Sequence, residues 1–151
     1  MEFKVGNRMI EIVFDYKTMF KVDKQLASKN PQTNESNNDG VGVLFTQVLN
    51  REDDAIINLI KVSAKQDKKA LSDAEILDAV ASYVEENGYV ETFEELERAM
   101  VDSGFFNVKI SKYIENMEQA IGWMEEEKTK ANSMEVKAIK GIIGKMKNAL
   151  S

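Results

Sequence analysis

Apolar residues alternate with polar ones over the first fourteen positions and then switch to three-four spacing for the rest of the chain. Phe3 and Val5 are flanked by polar neighbours, and Met9 to Phe14 is rich in β-favouring residues. Gly6-Asn7 between them supplies the positive φ angles of a tight turn. This predicts a β-hairpin over Met1 to Phe14. Two strands alone are marginal in water, so the hairpin must lie on helices or pair with something else. A helix is expected from Asp15 to Ser28, with Asp15 as its N-cap. Tyr16, Met19, Phe20 and Asp23 share one side of it, and Val22 and Leu26 extend the apolar strip. Asn30-Pro31 ends it. Residues 28–40 are polar, rich in Asn and Ser, and read as a flexible surface loop. Val41 to Asn50 follows as a short helix, with Gly40 and Gly42 easing the turn into it. No G-x-x-x-x-G-K-[ST] accompanies these glycines, so they make no phosphate loop.

Asp53 to Lys65 differs from its neighbours. Ala55, Ile56, Ile57, Leu59, Ile60, Val62 and Ala64 reach most of the way around a helix, which predicts burial on nearly every side. Acidic residues stand at its start and Lys61, Lys65, Lys68 and Lys69 at or beyond its end, the order a helix dipole favours. It is the expected central helix. Ser72 with Glu75 then forms a capping box, with Leu71 and Ile76 placed as a hydrophobic staple. Ile76, Leu77, Val80, Tyr83 and Val84 give this helix its buried face. Asn87-Gly88 stops it, with Tyr89 placed to pack back on Val84. Thr92 with Glu95 repeats the box ahead of Phe93, Leu96, Ala99 and Met100, and Gly104 repeats the stop, with Phe105 over Met100. The pair is an αα-hairpin.

A long helix is expected from Val108 to about Lys130, with Ile110, Tyr113, Ile114, Met117, Ala120, Ile121 and Met124 as its stripe. Trp123 lies beside that stripe, either at the margin of the core or as an anchor for a partner. At the C-terminal end, Val136, Ile139, Ile143, Met146 and Leu150 fall in strict 3-4-3-4 spacing, a narrow seam. Asn132 with Glu135 offers a weak cap. Gly141 and Gly144 lie off the seam and cost roughly 1 kcal/mol each relative to Ala. Such a short helix is marginal alone and must order by docking on its own domain, another copy or a partner. Trp123 and the five seam residues are therefore the candidate partner-binding positions. The whole pattern predicts an α+β chain, predominantly α, with the hairpin packed on a bundle of about six helices. It divides into a helical domain over 1–131 and a basic amphipathic C-terminal helix over 132–151.

Composition narrows the chemistry. The 151 residues contain no Cys and no His. Disulfides, thiolate metal sites and a Cys nucleophile are thereby excluded, and Ser-His triads, zinc and haem sites become improbable. The capacity for catalysis would rest on helix-surface carboxylates such as Glu94, Glu95 and Glu97, which usually lack the cleft and shifted pKa that acid-base work requires. No cofactor, metal or catalytic residue is expected. No apolar run approaches the ~20 residues of a membrane span, and the N-terminus has no signal-peptide core. The net charge of −6 is uneven: residues 1–127 balance at −11 and residues 128–151 at +5. A basic tail on an acidic body points to an anionic partner, another copy, or an intramolecular dock. The Lys residues form no aromatic-interleaved patch in the tail, and the acidic body repels phosphates, so neither nucleic acid nor membrane is expected as a partner.

The order of FKVGNRMIEIVF, DYKTMFKVDKQLA, the polar loop ending in GVGVL, DDAIINLIKVSA and the acidic LSDAEILDAVASYVEENG…ETFEELERAMVDSGFF resembles the tail assembly chaperones of long-tailed, non-contractile phages of Gram-positive bacteria. The resemblance spans residues 1 to about 125 and leaves the basic end unmatched. It implies a non-enzymatic helper in the host bacterial cytoplasm, absent from the mature virion. Such a helper binds the tape-measure protein and keeps it soluble while the tail tube assembles. It also implies contact with the tail-tube protein through a longer, frameshifted product. Residue pattern alone supports a second reading, a helical adaptor or regulator that forms a homo-oligomer through its C-terminal helix.

Overall fold

A computed structural model describes residues 1–65, 69–127 and 130–151, and the side chains of these except 130–132. Lys68 and the side chain of Asn132, both named above, lie outside that set. The described chain is 71% helical. Strands β1 (Glu2–Val5) and β2 (Arg8–Glu11) pair antiparallel, with Phe3 opposite Ile10 and Val5 opposite Arg8. Gly6 has φ +61° while Asn7 is not in the positive region. A positive φ at the first loop residue alone is the pattern of a II′ turn. The period-two alternation puts Phe3, Val5, Ile10 and Ile12 in the core and leaves Lys4 and Met9 outside.

Among the described residues seven helices follow: α1 (Tyr16–Gln25), α2 (Gly40–Leu49), α3 (Asp54–Ser63), α4 (Asp73–Asn87), α5 (Tyr89–Asp102), α6 (Gly104–Glu127) and α7 (Lys130–Leu150). The hairpin lies on α3 and α4, with the Phe3 and Tyr83 rings 4.5 Å apart between centroids. Helix α3 buries Ala55, Ile56, Leu59, Ile60 and Val62, as its all-round apolar pattern requires. Yet α2 has more helical neighbours. It touches α1, α3, α5, α6 and α7, while α3 touches α1, α2, α4 and β2.

The two early glycines of α2 explain that position, and they do more than ease a turn. A Cβ on Gly40 would stand 1.9 Å from the Val22 carbonyl oxygen, and one on Gly42 would stand 2.1 Å from the Tyr113 ring. Both allow close approach, of α1 in one case and of α6 in the other. At the first of these approaches the buried Asp23 carboxylate accepts from the Val41 N–H (3.2 Å) at the start of α2. It also meets the Lys109 ammonium (3.1 Å) of α6. One side chain thus joins three helices, and its charge is both paired and placed at a helix N-terminus.

Residues 28–38 are exposed, Asp39 is half-buried, and Gly40 enters the core at the start of α2. They close on themselves. The Ser28 N–H and hydroxyl donate to the two oxygens of Asp39 (2.8 and 2.5 Å), and Asn37 N–H donates to the Ser28 carbonyl (3.0 Å). Asn34 and Asn38 take φ of 60° and 51°, a region asparagine tolerates better than most side chains. The abundance of Asn has a backbone reason here.

The α4 start follows its expected box: Ser72 caps the Glu75 N–H (3.2 Å). The other two boundaries move. Gly88 at φ +93° lets the chain turn at once into α5, which begins at Tyr89, three residues ahead of the expected cap. Thr92 is therefore inside the helix and buried, and its hydroxyl donates back to the Gly88 carbonyl (2.6 Å). The Tyr89 ring meets Phe93, and its hydroxyl donates to Asp53 (3.0 Å). Likewise Gly104 opens α6 instead of closing α5, because Ser103 accepts from the Phe106 N–H (3.4 Å) and anchors to the Phe14 carbonyl (2.9 Å).

Helix α7 packs along α6 and also touches α2 and α5. Lys140 meets Glu125 and, two turns further on, Lys147 meets Glu118, each at 2.7 Å. The pairing runs in opposite directions along the two helices, so they are antiparallel neighbours and not one rod.

Candidate interaction surface

The C-terminal seam faces inward. Val136, Ile143 and Met146 are buried, and Ile139 and Leu150 are half-buried against the same core. They share one apolar cluster with Ile121, Met117 and Met124 of α6, the helix along which α7 packs. The basic charge of α7 lies against acidic positions of α6 through the two ion pairs above, and Lys145 donates to Asn50 (3.3 Å) beyond α2. Trp123 is elsewhere on α6. At 67% exposed it belongs to the outer surface and not to the margin of the core. The structure therefore sets Trp123, on the outer surface, apart from the five seam residues, which are buried or half-buried.

The outer faces of α4 and α5 are acidic. Asp73 pairs with Lys61 (3.1 Å) at the edge of a groove that Arg8, Lys65 and Leu71 also line. Glu95 accepts from the Tyr83 hydroxyl (2.9 Å). Burial, followed by this bond to a carboxylate, pushes the Tyr83 phenol up to about 12. Leu77, expected in the buried face, is exposed; Ala79 takes its place beside Ile76. Among the described residues no three Asp or Glu side chains are grouped so as to hold a metal ion, and no helix is long and apolar enough to cross a membrane.

A second apolar surface escaped the spacing argument. Tyr16 and Phe20 of α1 are 57% and 51% exposed, although the strip of α1 placed them with the core. Met19, Val22 and Asp23 form the face that is buried. Tyr16 meets Phe105 edge-on across α1 and α6, with centroids 5.6 Å apart. Phe105 is 50% exposed; Phe106 is the buried member of the pair, edge-on to Phe14. Val108, one turn beyond Phe105, is 66% exposed. The available signal was the interleaving of Lys17, Lys21 and Lys24 with these rings, since a helix flank carrying three lysines faces water.

A family model described as phage tail assembly chaperone protein, TAC, matches residues 2–115. The chain belongs to that family. No curated protein and no solved structure matches it. The chaperone match runs from the hairpin through α5 into the first half of α6. It includes Tyr16, Phe20, Phe105 and Val108, and it stops short of Trp123 and the whole of α7.

Proposed function

We propose that this chain is a non-enzymatic chaperone that binds the tape-measure protein and keeps it soluble while the tail tube assembles around it. The family match over residues 2–115 carries the reading. The exposed aromatic residues on a highly charged surface support it, because they offer contact area to a client without a deep pocket. The setting is the host bacterial cytoplasm, and the protein leaves before the virion is complete. A longer product made by frameshifting would bring the tail-tube protein to the same client. DNA downstream of the gene should then contain an overlapping frame, followed by a very long helical one.

The direct test is co-expression with the tape-measure protein. The client should move from the pellet to the soluble fraction and copurify with the chaperone. Equal aggregation with and without this chain would sink the reading. The self-associating adaptor needs the seam of α7 as its contact. With Val136, Ile143 and Met146 buried in the chain itself, the chaperone reading is favoured.

A further inference from the structure

The aromatic surface between α1 and α6 has a charge of its own, opposite to that of the chain. From Tyr16 to Gln25 the cations are Lys17, Lys21 and Lys24, and the one carboxylate is Asp23. That carboxylate is buried and paired with Lys109, so it does not offset them. From Gly104 to Glu115, α6 adds Lys112 beyond the paired Lys109, with Glu115 as its acidic residue. Lys24 also sits 5.5 Å over the Phe20 ring. Asp15, the α1 cap, accepts from the Thr18 N–H (2.9 Å) and keeps its charge, and Asp102 stands just ahead of α6, so the far edge carries acidic residues. A chain of net charge −6 therefore presents an apolar surface whose α1 flank, with Lys17, Lys21 and Lys24, is basic.

We propose that this surface docks an amphipathic helix of a partner whose apolar stripe is bordered by acidic residues. The inference deepens the chaperone reading and rests on it for the existence of a client. Tyr16 and Phe20 are one turn apart on α1, and Phe105 and Val108 one turn apart on α6. The edge contact of Tyr16 with Phe105 joins the two pairs into a shallow surface between helices. Such a surface accepts side chains spaced by three or four residues on an incoming helix. Lysines around it select acidic flanks and set the orientation. An anionic bilayer or nucleic acid shares the sign but not the fit, because the acidic α4–α5 face of the same small chain repels an extended phosphate surface.

The test uses the full-length protein and two labelled synthetic peptides of about five helical turns. Both carry the same leucine stripe; one is flanked by Glu and the other by Lys. Fluorescence anisotropy should show the Glu peptide binding about tenfold more tightly, with binding weakened as salt shortens the range of the lysine charges. Phe20→Ser with Phe105→Ser should lower affinity about tenfold or more, and Trp123→Ser should leave it within about twofold. Both changes are at exposed positions, and an unaltered circular dichroism melt verifies that the variants fold. Equal binding of the two peptides, no binding of either, or an unaffected double variant overturns the proposal. So does sedimentation with phosphatidylglycerol vesicles, or self-association of the protein, that the double variant abolishes. If any of these occurs while the tape-measure protein is still kept soluble, the chaperone role stands and this surface is not its docking site.

Discussion

Replacing both Gly141 and Gly144 with alanine should stabilise the protein, while the same change at Gly40 or Gly42 should damage it. In α7 a Cβ at either glycine meets no atom within 4 Å, and both positions are exposed. Only the backbone changes, and alanine is favoured over glycine in a helix interior by about 1 kcal/mol per site. The pair should gain about 2 kcal/mol if α7 unfolds with the rest of the chain. At about 2.1 cal/mol/K per residue, the entropy of unfolding a chain this long is roughly 0.3 kcal/mol/K, so Tm should rise by about 6 °C. At Gly40 the new methyl would meet the Val22 carbonyl at 1.9 Å, and at Gly42 the Tyr113 ring at 2.1 Å. Neither a helix backbone nor a packed ring moves freely by the ångström or more needed. Overpacking of this kind costs about 1–3 kcal/mol or more, well beyond the propensity gain. Thermal melts followed at 222 nm, with urea titrations for the free energies, measure all four positions. A neutral Gly40→Ala would refute the close approach of α1 and α2. A lowered Tm in the Gly141/Gly144 pair would refute an α7 with open space at both sites.

Three other perturbations probe separate contacts. Asp23→Ala should cost about 2 kcal/mol in urea unfolding, because it leaves the Val41 N–H without its buried acceptor and the part-exposed Lys109 ammonium without its partner; a loss under about 0.5 kcal/mol would show that this carboxylate is not structural. Asp15→Ala should cost about 1 kcal/mol at neutral pH as a lost N-cap. The hydrogen bond from the Thr18 N–H holds the Asp15 carboxyl below its ordinary value of 3.8. Its contribution is therefore complete above that value and lost as pH falls through the lower folded-state value, so wild type and variant should converge in acid. Stability curves that stay parallel down to pH 2 would contradict this. Met146→Ala, at a fully buried seam position, should cost about 2–4 kcal/mol, against under about 0.5 kcal/mol for the exposed neighbour Asn148→Ala; similar small losses for both would mean that α7 is undocked.

The elements with strong local signals were legible from the residues. The hairpin alternation, the Asp15 cap, the Ser72 box and the all-round apolar α3 each depend on neighbours within a few positions, and each is present. What escaped depended on distant partners. Gly40 and Gly42 look like turn residues until Val22 and Tyr113 arrive beside them. Thr92 has the local form of a cap, but the φ of Gly88 starts the helix earlier and leaves the hydroxyl inside it. On α1, apolar residues spread over more than one side, and spacing alone does not say that Val22 and Met19 turn inward while Tyr16 and Phe20 remain outside. The same ambiguity hid the aromatic surface and left Trp123 between core margin and outer anchor. Amphipathic spacing identifies a stripe, and the third helix decides which stripe is covered.

The closed base of the 28–40 loop gives the protein an insertion port. Ser28 and Asp39 are bonded to each other outside the core, so the two ends are held together whatever lies between them. Lengthening the chain near Thr33 or Asn34 adds loop-closure entropy that grows only with the logarithm of length, about 0.6 kcal/mol per doubling. An epitope, a fluorophore or a small folded module can be carried there without pulling on α1 or α2.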